Sequence, residues 1–295
     1  MRSKVMDLTK YIQSRTDVKV DGKTAILREQ LQGENHNMMS LDSLQFPHEP
    51  DYKVTGVIPD RCNVFKSAVQ PQMLTFNCVK ADGTQSEMSS IWKRGDDIRQ
   101  DQMVMQLMTV MDSILKEKGL DYQFTLYKCL GCTNEDGVME MVTGAKTVQK
   151  IRQDYKDDLG LYLSSLSDDK AKVQKAYMSS CAGYAIATYL LAVGDRHLEN
   201  LLVTKTGHMF HCDFGFILGK NPPNKDLFVP EIRINKPMIA GMGGQSDPNY
   251  QTFKTLATDG FIELRKNRLY LLNLVALMVD AQIKDLPSSD YFTIL

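Results

Sequence analysis

The stretch Val193-Gly194-Asp195-Arg196-His197-Leu198-Glu199-Asn200, read with His211-Cys212-Asp213-Phe214-Gly215, constrains this chain more than any other. Asp195 and Asn200 are five residues apart, and Asp213 follows 13 residues beyond Asn200. An Asn amide and a carboxylate are hard oxygen ligands of the kind Mg²⁺ accepts, since it binds few protein groups and completes its shell with water and phosphate oxygens. Asn200 and Asp213 are therefore the candidate metal ligands, and the stretch predicts a phosphoryl-transfer site.

The same spacing of five separates the catalytic Asp from the metal-holding Asn of protein kinases, which also carry a later Asp-Phe-Gly. Here the order is Asp-Arg-His, where protein kinases have His-Arg-Asp. The inversion puts an imidazole two residues after the Asp. A group titrating near neutrality suits removal of a proton from a weakly acidic alcohol. His197 is one candidate base, and Asp195 is the other if the site follows protein kinases. A buried turn between two strands would explain either motif alone; it does not explain their joint spacing.

Composition excludes several classes. With 43% hydrophobic and 24% charged residues the chain is expected to bury a sizeable core, and a formal net charge of −1 gives no global attraction to nucleic acid. The six cysteines have no framework spacing, and Cys129-Leu-Gly-Cys132 lacks a second pair, so a reducing compartment is expected. His197, His208, His211 and Cys212 surround the catalytic motif, where ordinary packing accounts for them better than zinc does. No run of about 18 apolar residues exists, and Met1 to Lys10 is charged where a signal peptide is apolar, which predicts a soluble or peripheral protein.

Along the chain, Val5, Leu8 and Ile12 recur at helical spacing, predicting an amphipathic segment from Lys4 to about Leu31. Gly33, Asn35, His36, Asn37, Pro47 and Pro50 then mark a connector. Strands are predicted over 54–58, 64–68, 73–80 and 86–93, the last two joined by Ala81-Asp82-Gly83-Thr84, an Asp-Gly hairpin signal. Lys93 ends that hairpin and is placed to hold an α-phosphate. Asp96 or Asp97 can cap the helix predicted over 103–118, and Asp101 can face Lys93 as its anion. Further strands are predicted over 124–131 and 138–142, exposed helix or loop over 150–175, and a buried helix over 179–193. A Pro- and Gly-interrupted loop over 216–248 precedes a helix over 253–279. The predicted fold is α+β and bilobal, like a protein kinase. A helical lead-in and connector spans 1–50, an antiparallel-sheet N-lobe 51–143, and a mostly helical C-lobe 144–295.

Phe65-Lys66-Ser67-Ala68, Gly95-Asp96-Asp97-Ile98-Arg99-Gln100-Asp101-Gln102, the two catalytic stretches, and Gly241-Met242-Gly243-Gly244 together resemble the catalytic domain of phosphatidylinositol 3-kinases, most of all the class III, vacuolar-sorting type. The resemblance covers roughly residues 50 to 285 with the motifs in order. It implies that Ser67, in a hairpin replacing a glycine-rich loop, touches the β/γ-phosphates of ATP while Lys93 holds the α-phosphate. It implies that Asp101 and Tyr127 line the inner pocket, that backbone groups at Glu140 and Val142 meet adenine, and that Met141 and Leu202 sandwich the ring. By sequence alone Tyr127 and Leu202 could equally be core.

The resemblance also implies ATP with Mg²⁺, Mn²⁺ being an alternative, and transfer to the 3-hydroxyl of phosphatidylinositol. Class I relatives grip phosphorylated inositides with a compact basic run after Asp-Phe-Gly. Here Lys220, Lys225, Arg233 and Lys236 are spread out and partly offset by Asp226 and Glu231, so unphosphorylated phosphatidylinositol is the expected substrate. Glu199 stands where class III members usually carry Asp. By the same resemblance the family's amino-terminal C2 and helical domains and its C-terminal helices are expected to lie outside the stretch from Met1 to Leu295. A pseudokinase-like regulatory subunit and a Beclin-type partner, at endosomal or autophagic membranes, are what the family implies; nucleic acid is not. Two rival readings are a related protein serine/threonine kinase and a catalytically silent nucleotide-binding scaffold.

Overall fold

The computed structural model describes residues 1–33, 38–41, 44–223 and 231–286, so Asn35, His36, Asn37, Lys225, Asp226 and Pro230 lie outside the described residues. The chain divides into two compact units, one formed by Met1–Gln102 with Tyr127–Thr143, the other by Met103–Leu126 with the chain from Gly144 on.

The first unit opens with α1 (Arg2–Ser14) and α2 (Val20–Gln32). The single amphipathic segment expected from Lys4 to Leu31 is thus two helices. Arg15 leaves helical geometry and the chain turns there, with Thr16 N–H donating to Ser14 C=O at 2.8 Å and Val18 N–H to Arg15 C=O at 3.4 Å, while the Arg15 guanidinium pairs with Asp17 at 2.8 and 2.9 Å. Strands β1 (Leu44–Phe46), β2 (Glu49–Val57), β3 (Asn63–Val64), β4 (Gln72–Lys80), β5 (Gln85–Arg94), β6 (Cys129–Gly131) and β7 (Asp136–Glu140) follow. They form one antiparallel sheet in the order β1-β2-β4-β5-β7-β6, with β3 paired to β4. The β4–β5 turn is the expected one: Gly83 sits at φ 84° and the Asp82 carboxylate accepts from Thr84 N–H at 2.9 Å. On β4 Leu74, Phe76 and Cys78 alternate into the core, where they meet Val5, Leu8 and Ile12 of α1 and Leu27 and Leu31 of α2. Each such side chain contributes roughly 1.5–3 kcal/mol by leaving water.

Two predicted strands are shorter than expected. The run 64–68 stops at Val64 because residues 65–71 close a tight loop, with Phe65 N–H donating to Pro71 C=O at 2.9 Å and Gln70 at φ 47°. The run 124–131 begins only at Cys129, because Tyr122 and Phe124 belong to the second unit and pack there, Phe124 against Tyr184.

In the second unit most of α3 (Arg99–Glu117) is joined by α4 (Val148–Asp154), α5 (Leu159–Ser165), α6 (Lys170–Leu190), α7 (Lys236–Gly241), α8 (Pro248–Lys266) and α9 (Arg268–Ala276). A small antiparallel sheet orders β10 (Met209–His211), β9 (Leu201–Val203) and β8 (Lys146–Thr147). Helix α6 is buried on nearly every face from Ala176 to Thr188, as its all-round apolar sequence requires, and starts earlier than predicted where Asp169 caps it. It packs on α8 at Gly260, where a Cβ would meet the Tyr122 hydroxyl at 2.6 Å and Ile186 at 2.7 Å. The single helix expected over 253–279 breaks at Asn267, whose amide turns back to Glu263 C=O at 3.0 Å. A sheet-built unit and a mostly helical unit make the α+β, kinase-like layout that the motifs imply.

Candidate active site

The end of α6 delivers the catalytic loop of the second unit. Ala192 and Asp195 take left-handed backbone at φ 43° and 48°, and Asp213 does the same at φ 60°. Such conformations cost non-glycine residues about 1–3 kcal/mol each and persist only where the surroundings impose them. The surroundings here are hydrogen bonds between the two motifs. Gly194 N–H donates to Phe216 C=O at 2.9 Å and Cys212 N–H to Asn200 C=O at 3.0 Å. Arg196 carries the tie further: Nε donates to Gly194 C=O at 2.8 Å, Nη1 to Cys212 C=O at 2.7 Å and Nη2 to Asp213 C=O, with the guanidinium 5.3 Å above the buried Phe214 ring.

Within this frame the candidate groups lie close together. Asn200, 6% exposed, donates Nδ2 to Asp195 C=O at 3.0 Å. Its nitrogen is thereby committed, leaving the amide oxygen for a cation. Asp213 is exposed, and one carboxylate oxygen accepts from Gly215 N–H at 3.2 Å. This donor set of amide and carboxylate oxygens fits a hard divalent cation. His197 is exposed; its Nδ1 accepts from Glu199 N–H at 3.3 Å, and its Nε2 lies 3.9 Å from the Asp195 carboxylate. His211 is fully buried and stacked on Tyr184 with ring centroids 5.1 Å apart; burial, with the Arg196 charge behind it, holds its imidazole well below the ordinary pKa. Ordinary packing is therefore its role. Among the described residues no cluster of three or more His, Cys, Asp or Glu side chains could hold a metal ion, and all six cysteines are free.

In the first unit Ser67 is exposed at the tip of the 65–71 loop, its N–H donating to Phe65 C=O at 3.1 Å and its C=O accepting from Gln70 at 3.2 Å. Lys93, near the end of β5, pairs with Asp96 at 2.9 Å. Asp97 caps α3: its carboxylate accepts from Arg99 N–H at 3.1 Å and from the Arg99 guanidinium at 2.8 and 2.6 Å, which holds it below the usual carboxylate range. Asp101 is buried at 4% exposure. Together with burial, which dominates, it pushes the Cys129 thiol up; the Lys93 ammonium opposes this and Glu140 adds to it, so these four side chains share one neighbourhood. Tyr127 is buried, while Met141 and Val142 are half-buried. At the strand edge, Glu140 N–H donates to Lys128 C=O at 2.8 Å, but Lys128 N–H goes to the Glu140 carboxylate at 3.1 Å rather than to its carbonyl.

A family model described as phosphatidylinositol 3- and 4-kinase matches residues 87–288. The chain belongs to that family. It is 40% identical over 293 residues to the phosphatidylinositol 3-kinase pik3 of Schizosaccharomyces pombe, covering 96% of this chain and 36% of that protein. Against phosphatidylinositol 3-kinase VPS34 of Saccharomyces cerevisiae the identity is 34% over 84% of this chain and 28% of that protein, and against the nodule isoform of Glycine max it is 36% over 89% and 32%. The chain thus spans about a third of the length of these curated relatives.

In this family member the structure brings Asp195, His197, Asn200 and Asp213 into one cross-tied pair of loops, and gathers Lys93, Asp101 and Glu140 around Cys129. Leu202 is half-buried on β9. Sequence reasoning missed the bracing role of Arg196, although it sits between two singled-out residues. It also missed Asp96 as a partner of Lys93. Arg233, counted above among the cations of the substrate loop, donates Nε to Val193 C=O at 2.8 Å, and burial lowers its pKa, with Arg196 contributing. It braces the catalytic loop.

Proposed function

We propose that this chain is the catalytic portion of a lipid kinase that transfers the γ-phosphate of ATP to the 3-hydroxyl of phosphatidylinositol. The observation that carries the reading is the cross-tied pair of loops in which the Asn200 amide nitrogen is spent on Asp195 C=O while its oxygen and the Asp213 carboxylate stay available as hard ligands. Membership of the family supports the reaction class.

In this reading His197 takes the proton of the attacking hydroxyl and Asp195, 3.9 Å away, orients and stabilises the resulting imidazolium. The new bond joins the inositol oxygen to the γ-phosphorus as the bond to the β-phosphate oxygen breaks, and ADP leaves. Lys93 and Ser67 hold the phosphates, and Glu140 and Val142 meet adenine through the backbone, with Asp101, Tyr127 and Met141 shaping the pocket. Asn200 and Asp213 would hold a divalent cation, Mg²⁺ or Mn²⁺, which would neutralise phosphate charge. Positioning and charge stabilisation provide most of the acceleration in such transfers.

Unphosphorylated phosphatidylinositol is the substrate. With Arg233 committed to Val193, the exposed Lys220 and Lys236 make no clustered clamp among the described residues. No helix among the described residues is long and apolar enough to cross a membrane, and the reading has the domain acting peripherally on endosomal or autophagic membranes. A pseudokinase-like regulatory subunit and a Beclin-type protein are its partners in this reading.

The test is transfer of labelled γ-phosphate to vesicles of phosphatidylinositol, of its 4-phosphate and of its 4,5-bisphosphate, with the product position determined. Label at the 3-position of phosphatidylinositol alone, lost in Asp213→Ala, is expected. Phosphorylated peptide without phosphorylated lipid would move the chain to the protein kinases, and ATP binding without turnover would make it a scaffold.

A further inference from the structure

The leading helices reach the phosphate loop through two buried or half-buried polar side chains. Gln13, in the last turn of α1, donates Nε2 to Val69 C=O at 2.7 Å and to Arg94 C=O at 3.0 Å, while its Oε1 accepts from Arg94 Nη1 at 3.2 Å. One amide therefore joins the loop that carries Ser67 to the end of the strand that carries Lys93. Lys23 of α2 is 2% exposed, and its ammonium donates to Gln70 Oε1 at 2.8 Å and to Gln13 C=O at 3.4 Å. Gln70 is the loop's left-handed residue, at φ 47°.

Three outer ties flank this centre: Lys66 with Asp21 at 3.0 Å, Val64 N–H to Thr24 Oγ1 at 3.2 Å, and Arg28 Nε to Cys62 C=O at 2.9 Å. A helix pair kept only for core packing has no need of a buried ammonium. Among the described residues the Lys23 ammonium donates to the neutral oxygens of Gln13 and Gln70, while the Asp17 carboxylate lies near enough to feel its charge; burying an ammonium on neutral acceptors is costly unless the fixed geometry or the charge is used. Both uses point to the loop. Its backbone is held in one conformation at Val69 and Gln70, and a positive charge stands behind it.

We propose that Gln13 and Lys23 are positioning residues for the nucleotide phosphates: they hold the 65–71 loop in the geometry that presents Ser67, in register with Lys93, and Lys23 adds positive potential beneath it. The proposal rests on the reading of Ser67 and Lys93 as phosphate contacts. A loop that populates its competent geometry only part of the time weakens apparent affinity by that fraction. The loss should fall on phosphates and spare adenosine.

The experiment measures binding of ATP and of adenosine to the full chain, with amide exchange at Phe65 and Gln70, in Gln13→Leu, Lys23→Met and Lys23→Arg. Gln13→Leu and Lys23→Met are expected to weaken ATP about five- to tenfold, to leave adenosine unchanged, and to speed exchange at both amides. Lys23→Arg should restore much of the ATP affinity. Gln13→Glu, which keeps the acceptor for the Arg94 guanidinium and loses the donor to Val69 C=O and Arg94 C=O, repeats the test if Gln13→Leu does not fold. Unaltered ATP binding, or ATP and adenosine weakened in equal proportion, overturns the proposal. A wild-type chain that binds adenosine and ATP equally well would instead remove the phosphate contacts on which it stands.

Discussion

Replacing Arg196 by Lys keeps the charge and removes the fork. The guanidinium satisfies three backbone carbonyls, at Gly194, Cys212 and Asp213, and lies over Phe214. A Lys ammonium is a point donor on a flexible stem and can reach one of these positions well. Hydrogen bonds from charged donors contribute roughly 1.5–3 kcal/mol each, and Arg196 is half-buried, so losing two of them should cost about 2–4 kcal/mol after allowance for water reaching the site. That energy holds Asp195 and Asp213 in their left-handed conformations. If most of it appears as loss of the aligned state, turnover should fall by about 30- to 1000-fold. Turnover on phosphatidylinositol vesicles should be measured beside the thermal midpoint, with ATP binding as a control for an intact first unit. A variant within threefold of wild-type turnover would refute the argument that the bridge sets the catalytic geometry.

Gly194→Ala places a methyl group against Lys220 C=O and within 2.6 Å of Asn221 Oδ1. Because Asn221 also accepts from Asp195 N–H at 3.4 Å, the catalytic loop must shift; at least a tenfold loss of turnover is expected, with roughly 1–3 kcal/mol of destabilisation in chemical unfolding, and unchanged behaviour would show slack in the loop. His48 is buried edge-on to Phe46, and burial lowers its imidazole to about 4. The unfolded chain takes up that proton near pH 6.5 and the folded one only near 4, so stability should decline as pH falls through this window, by up to about 1.4 kcal/mol per unit. His48→Phe should flatten that limb in pH-dependent unfolding; an unaltered slope would place the acid sensitivity elsewhere.

The pairing of the 193–200 and 211–215 stretches was legible in the sequence because its information is spacing, and hydrogen bonds between the two loops bring them together. The β4–β5 turn was legible for a similar reason, since Asp82-Gly83 fixes its own backbone. Long-range partners were not. Nothing local marks Arg196 as a bridge, because the carbonyls it serves are exposed to it only by the fold. Asp101 and Lys93 both act on Cys129, and Lys93 in addition reaches Asp96, which the turn before α3 brings three residues on and which no periodicity marks. The strand ends misread at Ala68 and Phe124 were apolar residues whose burial is decided elsewhere: by a closed loop in one case and by the packing of Phe124 on Tyr184 in the other.

The Glu140 side chain has a further consequence for the sheet. A β-ladder tends to zip onward while each new rung finds a donor and an acceptor, and Lys128 N–H is the next donor in line between β6 and β7. By taking that donor with its own carboxylate, Glu140 stops the zipper one rung early and keeps its main-chain carbonyl outside the ladder. That edge, which the proposed reading gives to adenine, is thus left open by competition between a side chain and a backbone for one hydrogen. A residue at 140 too short or too apolar to compete would let the sheet grow and close that edge on itself.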